Sequence, residues 1–259
     1  MAGIPRSVLI TGANQGLGLE LVRQMAEGPS PIRHLLACCR DPDGPRGQAL
    51  QDLAKRHPEV ITVMQLDVTD LCSIQRCSQQ VGSLVGVGGL NLLINNAAIL
   101  LTGTMQTTSP EDMLATFNTN VLGPMNIIKA FLPHLCAAAA ASSGMAAMSC
   151  SKAAVINLAS LMGSMNLAPQ TYHIVPSSFS YRVSKAALNM LTVCAALEFQ
   201  QSEILFAALH PGWVKTDMGG EGGDLEASES AGGLIRVMDS LTEEQNGAFL
   251  NYDSTPMPW

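Results

Sequence analysis

Short, strongly apolar runs alternate along the chain with longer stretches whose apolar residues recur three and four positions apart. The first pattern suits strands buried on both faces and the second suits amphipathic helices, so the alternation predicts βαβ units around a parallel sheet. Strands are predicted over residues 7–11, 35–39, 60–66, 90–95, 153–159, 204–209 and 248–251. Helices are predicted over residues 17–27, 46–56, 71–84 and 180–200, with a long or broken one over 111–136, where Pro124 marks a kink and Pro133 stands near the end. Asp70 is placed to cap the third helix, Ser73 offers a weak capping box, and Thr242 opens a capped turn before the last strand. No Pro/Ser/Gly-rich linker and no internal repeat divides the chain. Residues 1–259 are therefore expected to form one α/β domain, a doubly wound parallel sheet of seven strands with helices on both faces. Two segments read as loops by composition: a small-residue-rich surface extension over 137–151 and a mobile, Gly- and acid-rich stretch over 219–229.

Hydrophobic residues make up 47% of the chain and charged residues 14%, enough to bury a sizeable core and too apolar for disorder. The formal net charge of −7 argues against a nucleic-acid partner, because phosphate backbones require a basic footprint. An anionic cofactor then binds only where backbone donors or a local Arg override the global field. The seven cysteines contain no Cys-x-x-Cys pair and read as reduced, mostly buried thiols. The five histidines show no metal-ligand spacing, and no metal is expected. No uninterrupted apolar run reaches the ~18 residues that span a bilayer. The first apolar run leads straight into a glycine loop rather than a cleavage site, and no lipidation or peroxisomal ending is present. A cytoplasmic protein without a membrane partner is the expectation.

Five motifs carry candidate chemistry. Thr11-Gly12-Ala13-Asn14-Gln15-Gly16-Leu17-Gly18 lies between the first strand and first helix, where glycines let backbone N–H groups approach a pyrophosphate and the helix N-terminus favours its charge. A plain turn is the alternative for such a loop. Asn95-Asn96-Ala97-Ala98 ends the fourth strand, on the side of a parallel sheet where ligands bind; its amides serve a cofactor ribose or the loop backbone. Tyr181 and Lys185 are one helical turn apart and so share a face. A nearby ammonium favours phenolate and would lower the tyrosine pKa from its usual value of about 10. Ser160, at the end of the fifth strand, offers a hydroxyl to a substrate oxygen but lacks the Gly-x-Ser-x-Gly elbow of an esterase. In His210-Pro211-Gly212-Trp213-Val214-Lys215-Thr216 the turn leaves backbone groups and Thr216 free to meet a nicotinamide carboxamide, while His210 reads as structural. After the second strand, Cys39-Arg40 puts an Arg where the 2′-phosphate of NADP is held, with the acidic Asp41 one position on.

Taken together and in order, these motifs resemble the short-chain dehydrogenase/reductase family over essentially the whole chain. The Cys39-Arg40-Asp41-Pro42 stretch and the ending from Asn251 to Trp259 are similar to its C-factor-like and sniffer-like carbonyl reductase group. The resemblance implies a Rossmann-type fold and an NADP(H)-dependent reduction of aldehydes or ketones. Tyr181 would be the general acid, Lys185 would tune it and bind the nicotinamide ribose, and Ser160 would orient the substrate oxygen. Asn120, in an Asn-x-x-Gly pattern, would hold a water linking Lys185 to a proton relay. Gly12, Asn14, Gln15, Gly16, Leu17 and Gly18 would cradle the pyrophosphate, Asp67 and Val68 border the adenine, and Asn95 lie along the cofactor. Pro211, Gly212, Val214 and Thr216 would meet the nicotinamide. The chain departs from the pattern with Ala98 in place of Gly, and with a long gap between Ser160 and Tyr181 that reshapes the substrate wall through Met162, Met165 and Tyr172. Its segment after Thr216 is short, implying at most a small lid. A homodimer or homotetramer is expected through the apolar faces of the 111 and 180 helices. The competing reading is an NADP(H)-binding sensor or signalling protein of C-factor type with little turnover.

Overall fold

A computed structural model describes residues 6–29, 32–142, 144 and 148–259. The strands are β1 (Ser7–Thr11), β2 (His34–Cys39), β3 (Ile61–Gln65), β4 (Leu92–Asn95), β5 (Ala154–Leu158), β6 (Leu205–His210) and β7 (Phe249–Asn251). They form one sheet in the order β3-β2-β1-β4-β5-β6-β7, every adjacent pair parallel, as the alternating pattern predicts. The helices are α1 (Gly16–Glu27), α2 (Gln48–Arg56), α3 (Leu71–Val85), α4 (Pro110–Phe117), α5 (Gly123–Ala141), α6 (Ala168–Thr171), α7 (Phe179–Glu198) and α8 (Ala227–Ser240).

Alternation along each strand divides the core in two. Val8, Ile10, Leu35, Ile156 and Leu209 face one side, with Leu21 of α1, Leu50 of α2 and Leu234 of α8. Leu9, Leu36, Val155 and Phe206 face the other, with Ile74 of α3, Phe131 of α5 and Ala196 of α7. Period-two side chains and helices on both faces are two views of the same constraint. The strand order reverses between β1 and β4, and a crevice opens there beyond the carboxyl ends of the strands.

The long 111–136 helix is broken, as expected, by a π-helical turn over Asn118–Leu122 just ahead of Pro124. The stretch Pro110–Ala141 is long and apolar enough to cross a membrane by length and composition alone, yet Ile127, Phe131 and Leu135 pack it into the core. Asp70 caps α3 through Cys72 N, but Ser73 turns back to accept from Asp67 N instead of completing a box. The Thr242 capping box is present.

Two loop assignments need correction. Residues 137–141 continue α5, consistent with alanine's high helix propensity, and Met148 and Cys150 are buried; positions 143 and 145–147 of that expected extension lie outside the described residues. The stretch 219–229 is not a loose segment: Gly219 N bonds Thr216 Oγ1, Gly220 N bonds Thr216 O, and Asp224 N and Leu225 N both bond Trp213 O. Its last residues begin α8, which has no counterpart among the predicted helices. Gly232-Gly233 weakens the helical signal there, and the glycine is needed because a methyl at 233 would stand 2.6 Å from Tyr252 O.

Candidate active site

The crevice is a cleft of about 980 Å³. Its walls contain every residue expected to serve catalysis or the cofactor except Asn95 and Asn120.

At one end lies the glycine loop. Gly12 and Gly16 have φ of 64° and 53°, and a methyl on Gly18 would fall on Gly12 O and 2.5 Å from Asn96 Nδ2. The adjacent N-terminus of α1 has no side-chain cap, so its free N–H groups face the cleft that Gln15, Gly16 and Leu17 line. A side-chain-free cradle backed by uncapped donors fits a pyrophosphate.

Asn96 staples this loop to β4: its Nδ2 donates to Thr11 O at 2.8 Å and Gly12 O at 3.0 Å, while Thr11 Oγ1 accepts from Asn96 N and Ala97 N. Asn95 points the other way, out of the cleft, where its Nδ2 donates to Asn157 Oδ1 on the paired position of β5. Asn95, expected along the cofactor, is thus absent from the cleft wall, and Asn96, the residue of opposite parity, lines it. Ala98 brings no strain, since the only described non-glycine residues with positive φ are Glu203 and Ser254.

Arg40 lines the same end, joined by Arg46, which the sequence did not single out. Neither makes a salt bridge among the described residues. Arg46 is brought back by the tight 41–47 turn and held there by Asn14 Nδ2, which donates to its carbonyl at 3.3 Å. Asp41 folds over that turn, its carboxylate occupying the space a side chain at Gly44 would need. Asp67 Oδ1 is engaged by Thr69 N and Oγ1 at 2.8 and 2.7 Å.

At the other end stand Ser160, Tyr181 and Lys185. Ser160 caps a short 3-10 turn, its Oγ accepting from Met162 N at 3.2 Å. Lys185 is 3% exposed; its Nζ donates to Leu158 O at 2.6 Å and stands 5.5 Å from the Tyr181 ring centroid. The electrostatics differ from the sequence expectation. Burial pushes the Tyr181 phenol up to about 12, against a hydrogen bond with Ser160 that pulls it down. Burial also pushes the Lys185 ammonium down to about 7. Desolvation outweighs mutual tuning here, and the phenol keeps its proton at neutral pH. His210, at the end of β6, is pushed down to about 4 by burial and by Lys185, against Asp253.

Asn120 lies outside the cleft wall. Its Oδ1 accepts from Ile99 N, and its Nδ2 donates to Ile99 O and to Ser184 Oγ, at 2.9 to 3.0 Å. Both amide hydrogens are spent and Oδ1 accepts one of the two bonds it can take, so the side chain clamps the post-β4 loop to α7. The substrate-side wall also differs from expectation: Met162 lines it, but Met165 and Tyr172 do not, and Val175, Ser177, Trp213 and Met218 do.

The family model for short chain dehydrogenases matches residues 6–226. The chain belongs to the short-chain dehydrogenase family. Within that family it is 36% identical to C-signal of Myxococcus xanthus over 176 residues, covering 68% of this chain and 96% of that protein. It is 31% identical to an uncharacterized oxidoreductase of Schizosaccharomyces pombe over the full length of both. Among solved structures, the NADPH-bound carbonyl reductase from chicken fatty liver is 43% identical with a TM-score of 0.93, covering 98% of this chain and 99% of its own. The carbonyl reductase Sniffer of D. melanogaster is 35% identical with the same TM-score of 0.93, covering 99% and 100%. This short-chain dehydrogenase thus shares its seven-stranded fold with carbonyl reductases.

Proposed function

We propose that this short-chain dehydrogenase reduces aldehydes or ketones to alcohols with NADPH. The observation that carries the reading is a buried phenol, Tyr181, kept protonated beside the Ser160 hydroxyl, in the same cleft as an uncapped glycine cradle. NADPH, when bound, supplies the hydride. Gly12, Gly16, Gly18 and the α1 N-terminus would hold its pyrophosphate, Arg40 with Arg46 its 2′-phosphate, and the Pro211–Thr216 turn its nicotinamide end. The NADPH-bound chicken reductase supports this choice of cofactor.

Ser160 Oγ–H and Tyr181 O–H together bracket a carbonyl oxygen. As negative charge develops on that oxygen, Tyr181 gives up its proton, and a phenol of high pKa is in the acid form the step requires. Lys185, with a pKa near 7, then faces the nascent phenolate as an ammonium and stabilises it in a water-poor site. Removal of the acid alone tests this. Tyr181→Phe is expected to abolish NADPH oxidation across a screen of uncharged carbonyls while NADPH affinity, measured by calorimetry, stays within a factor of two to three. Retained turnover sinks the assignment.

The similarity to C-signal supports a second reading, a dinucleotide-binding sensor with little turnover. Tight NADPH binding with no carbonyl consumed in the same screen would decide for it. Exposed Val183, Met190, Cys194 and Leu197, at helical spacing on α7, support a homodimer or homotetramer, which light scattering tests. All seven cysteines are free thiols, in keeping with the cytoplasmic location we propose.

A further inference from the structure

The residue after Tyr181 is an arginine that the chemistry above does not use. Arg182 is only 8% exposed, although a buried cation is costly unless it is paired or fully hydrogen-bonded. It makes no salt bridge among the described residues. Its fork is spent instead on the segment that precedes α7. Nε donates to Ser178 Oγ at 3.1 Å, Nη1 to Thr171 Oγ1 at 3.0 Å and Nη2 to Thr171 O at 2.8 Å. The guanidinium also lies 5.3 Å from the Tyr172 ring centroid.

Residues 172–177 belong to no helix or strand, so no ladder of their own holds their shape. Arg182 ties the two ends of this segment together. Ser178 Oγ donates to Val175 O at 2.7 Å, and Gly103 N to Ser177 O at 2.8 Å, closing the remaining sides. Val175 and Ser177 are the two members of the segment that line the cleft. The planar fork is what allows one side chain to span both ends; an ammonium is a point donor on a flexible stem.

We propose that Arg182 is a positioning residue for substrate selection, fixing segment 171–178 as the substrate-side wall of the cleft. The proposal rests on the carbonyl-reductase reading. Val175 and Ser177 line the cleft with Met162, Trp213 and Met218, and the acidic Asp217 beside Met218 disfavours anions, so the shape that Arg182 preserves selects among uncharged alkyl and aryl carbonyls.

The test compares wild type with Arg182→Met, which keeps the stem, Arg182→Lys, and the milder Thr171→Val. Steady-state kinetics with a small aldehyde and a bulky aryl ketone are read alongside hydrogen exchange of the 171–178 amides. Arg182→Met should raise KM for the bulky ketone on the order of tenfold relative to the small aldehyde, with kcat for the aldehyde within about threefold. Arg182→Lys and Thr171→Val should fall in between. Exchange should quicken over 171–178 and stay unchanged in β1 and α1. Equal losses for both substrates with faster exchange throughout would mean a loosened fold and would overturn the proposal, as would an unchanged KM ratio. If wild type turns over no carbonyl, the functional reading fails on its own. The exchange measurement then still decides the clamp, since unchanged exchange over 171–178 in Arg182→Met overturns it.

Discussion

Replacing His210 by Gln should flatten the acid limb of the protein's stability curve. His210 is 6% exposed, its Nδ1 has no hydrogen-bond partner, and its pKa drops from 6.5 to about 4. Between those two values the unfolded chain binds a proton that the folded chain refuses, so stability must rise with pH across that window and fall on acidification. The full linkage is roughly 3 kcal/mol, and carrying the two titrations from about pH 7.5 to about pH 5 yields about 2 kcal/mol of it. Carboxylates contribute slopes of the same sign, so the difference between wild type and variant is the quantity to follow. Urea unfolding at several pH values, with equal m-values as a control, supplies it. The wild-type advantage or deficit relative to His210→Gln should shift by about 2 kcal/mol against wild type as the pH falls to 5. Parallel curves would show that His210 accepts a proton in the folded protein, and the burial argument would be wrong.

Three further outcomes follow from the same geometry. Gly18→Ala should place a methyl against Gly12 O and Asn96 Nδ2, weakening NADPH binding at least tenfold in calorimetry and lowering stability by about 1–3 kcal/mol in thermal unfolding; tight binding would remove the cradle. Arg40→Asp should raise KM for NADPH far more than for NADH, and equal changes would unseat Arg40 from the 2′-phosphate. Carbonyl reduction should decline as pH rises through about 7, where Lys185 loses its proton, and Lys185→Arg should move that decline several units upward in a kcat/KM profile.

The strands were legible because a run such as Val8-Leu9-Ile10 has no polar face to show and can only be buried on both sides. The glycine loop and the Tyr181–Lys185 pair were legible because each needs particular residues at a fixed spacing, and spacing survives in a sequence. What escaped depended on parity or on distant partners. Asn95 and Asn96 are identical in composition, and only the register of β4 against β5 decides which amide faces the cleft. The clamp that Asn120 makes to Ile99 and Ser184 joins residues 21 and 64 positions away and leaves no local pattern. Arg182 escaped because the carbonyl, hydroxyls and ring that hold it follow no local pattern, and Arg46 because only the 41–47 turn brings it to the cleft. The helix α8 did carry a signal in the spacing of Ala231, Leu234, Val237 and Met238, which the paired glycines obscured.

The laced turn between Thr216 and Leu225 has a thermodynamic consequence. A wall whose backbone is already hydrogen-bonded before any ligand arrives has little freedom left to surrender on binding, so its ordering does not tax affinity. The same economy limits discrimination. A wall fixed before binding selects by fit rather than by its own closure. Selectivity at this wall should accordingly follow the size and polarity of the compound.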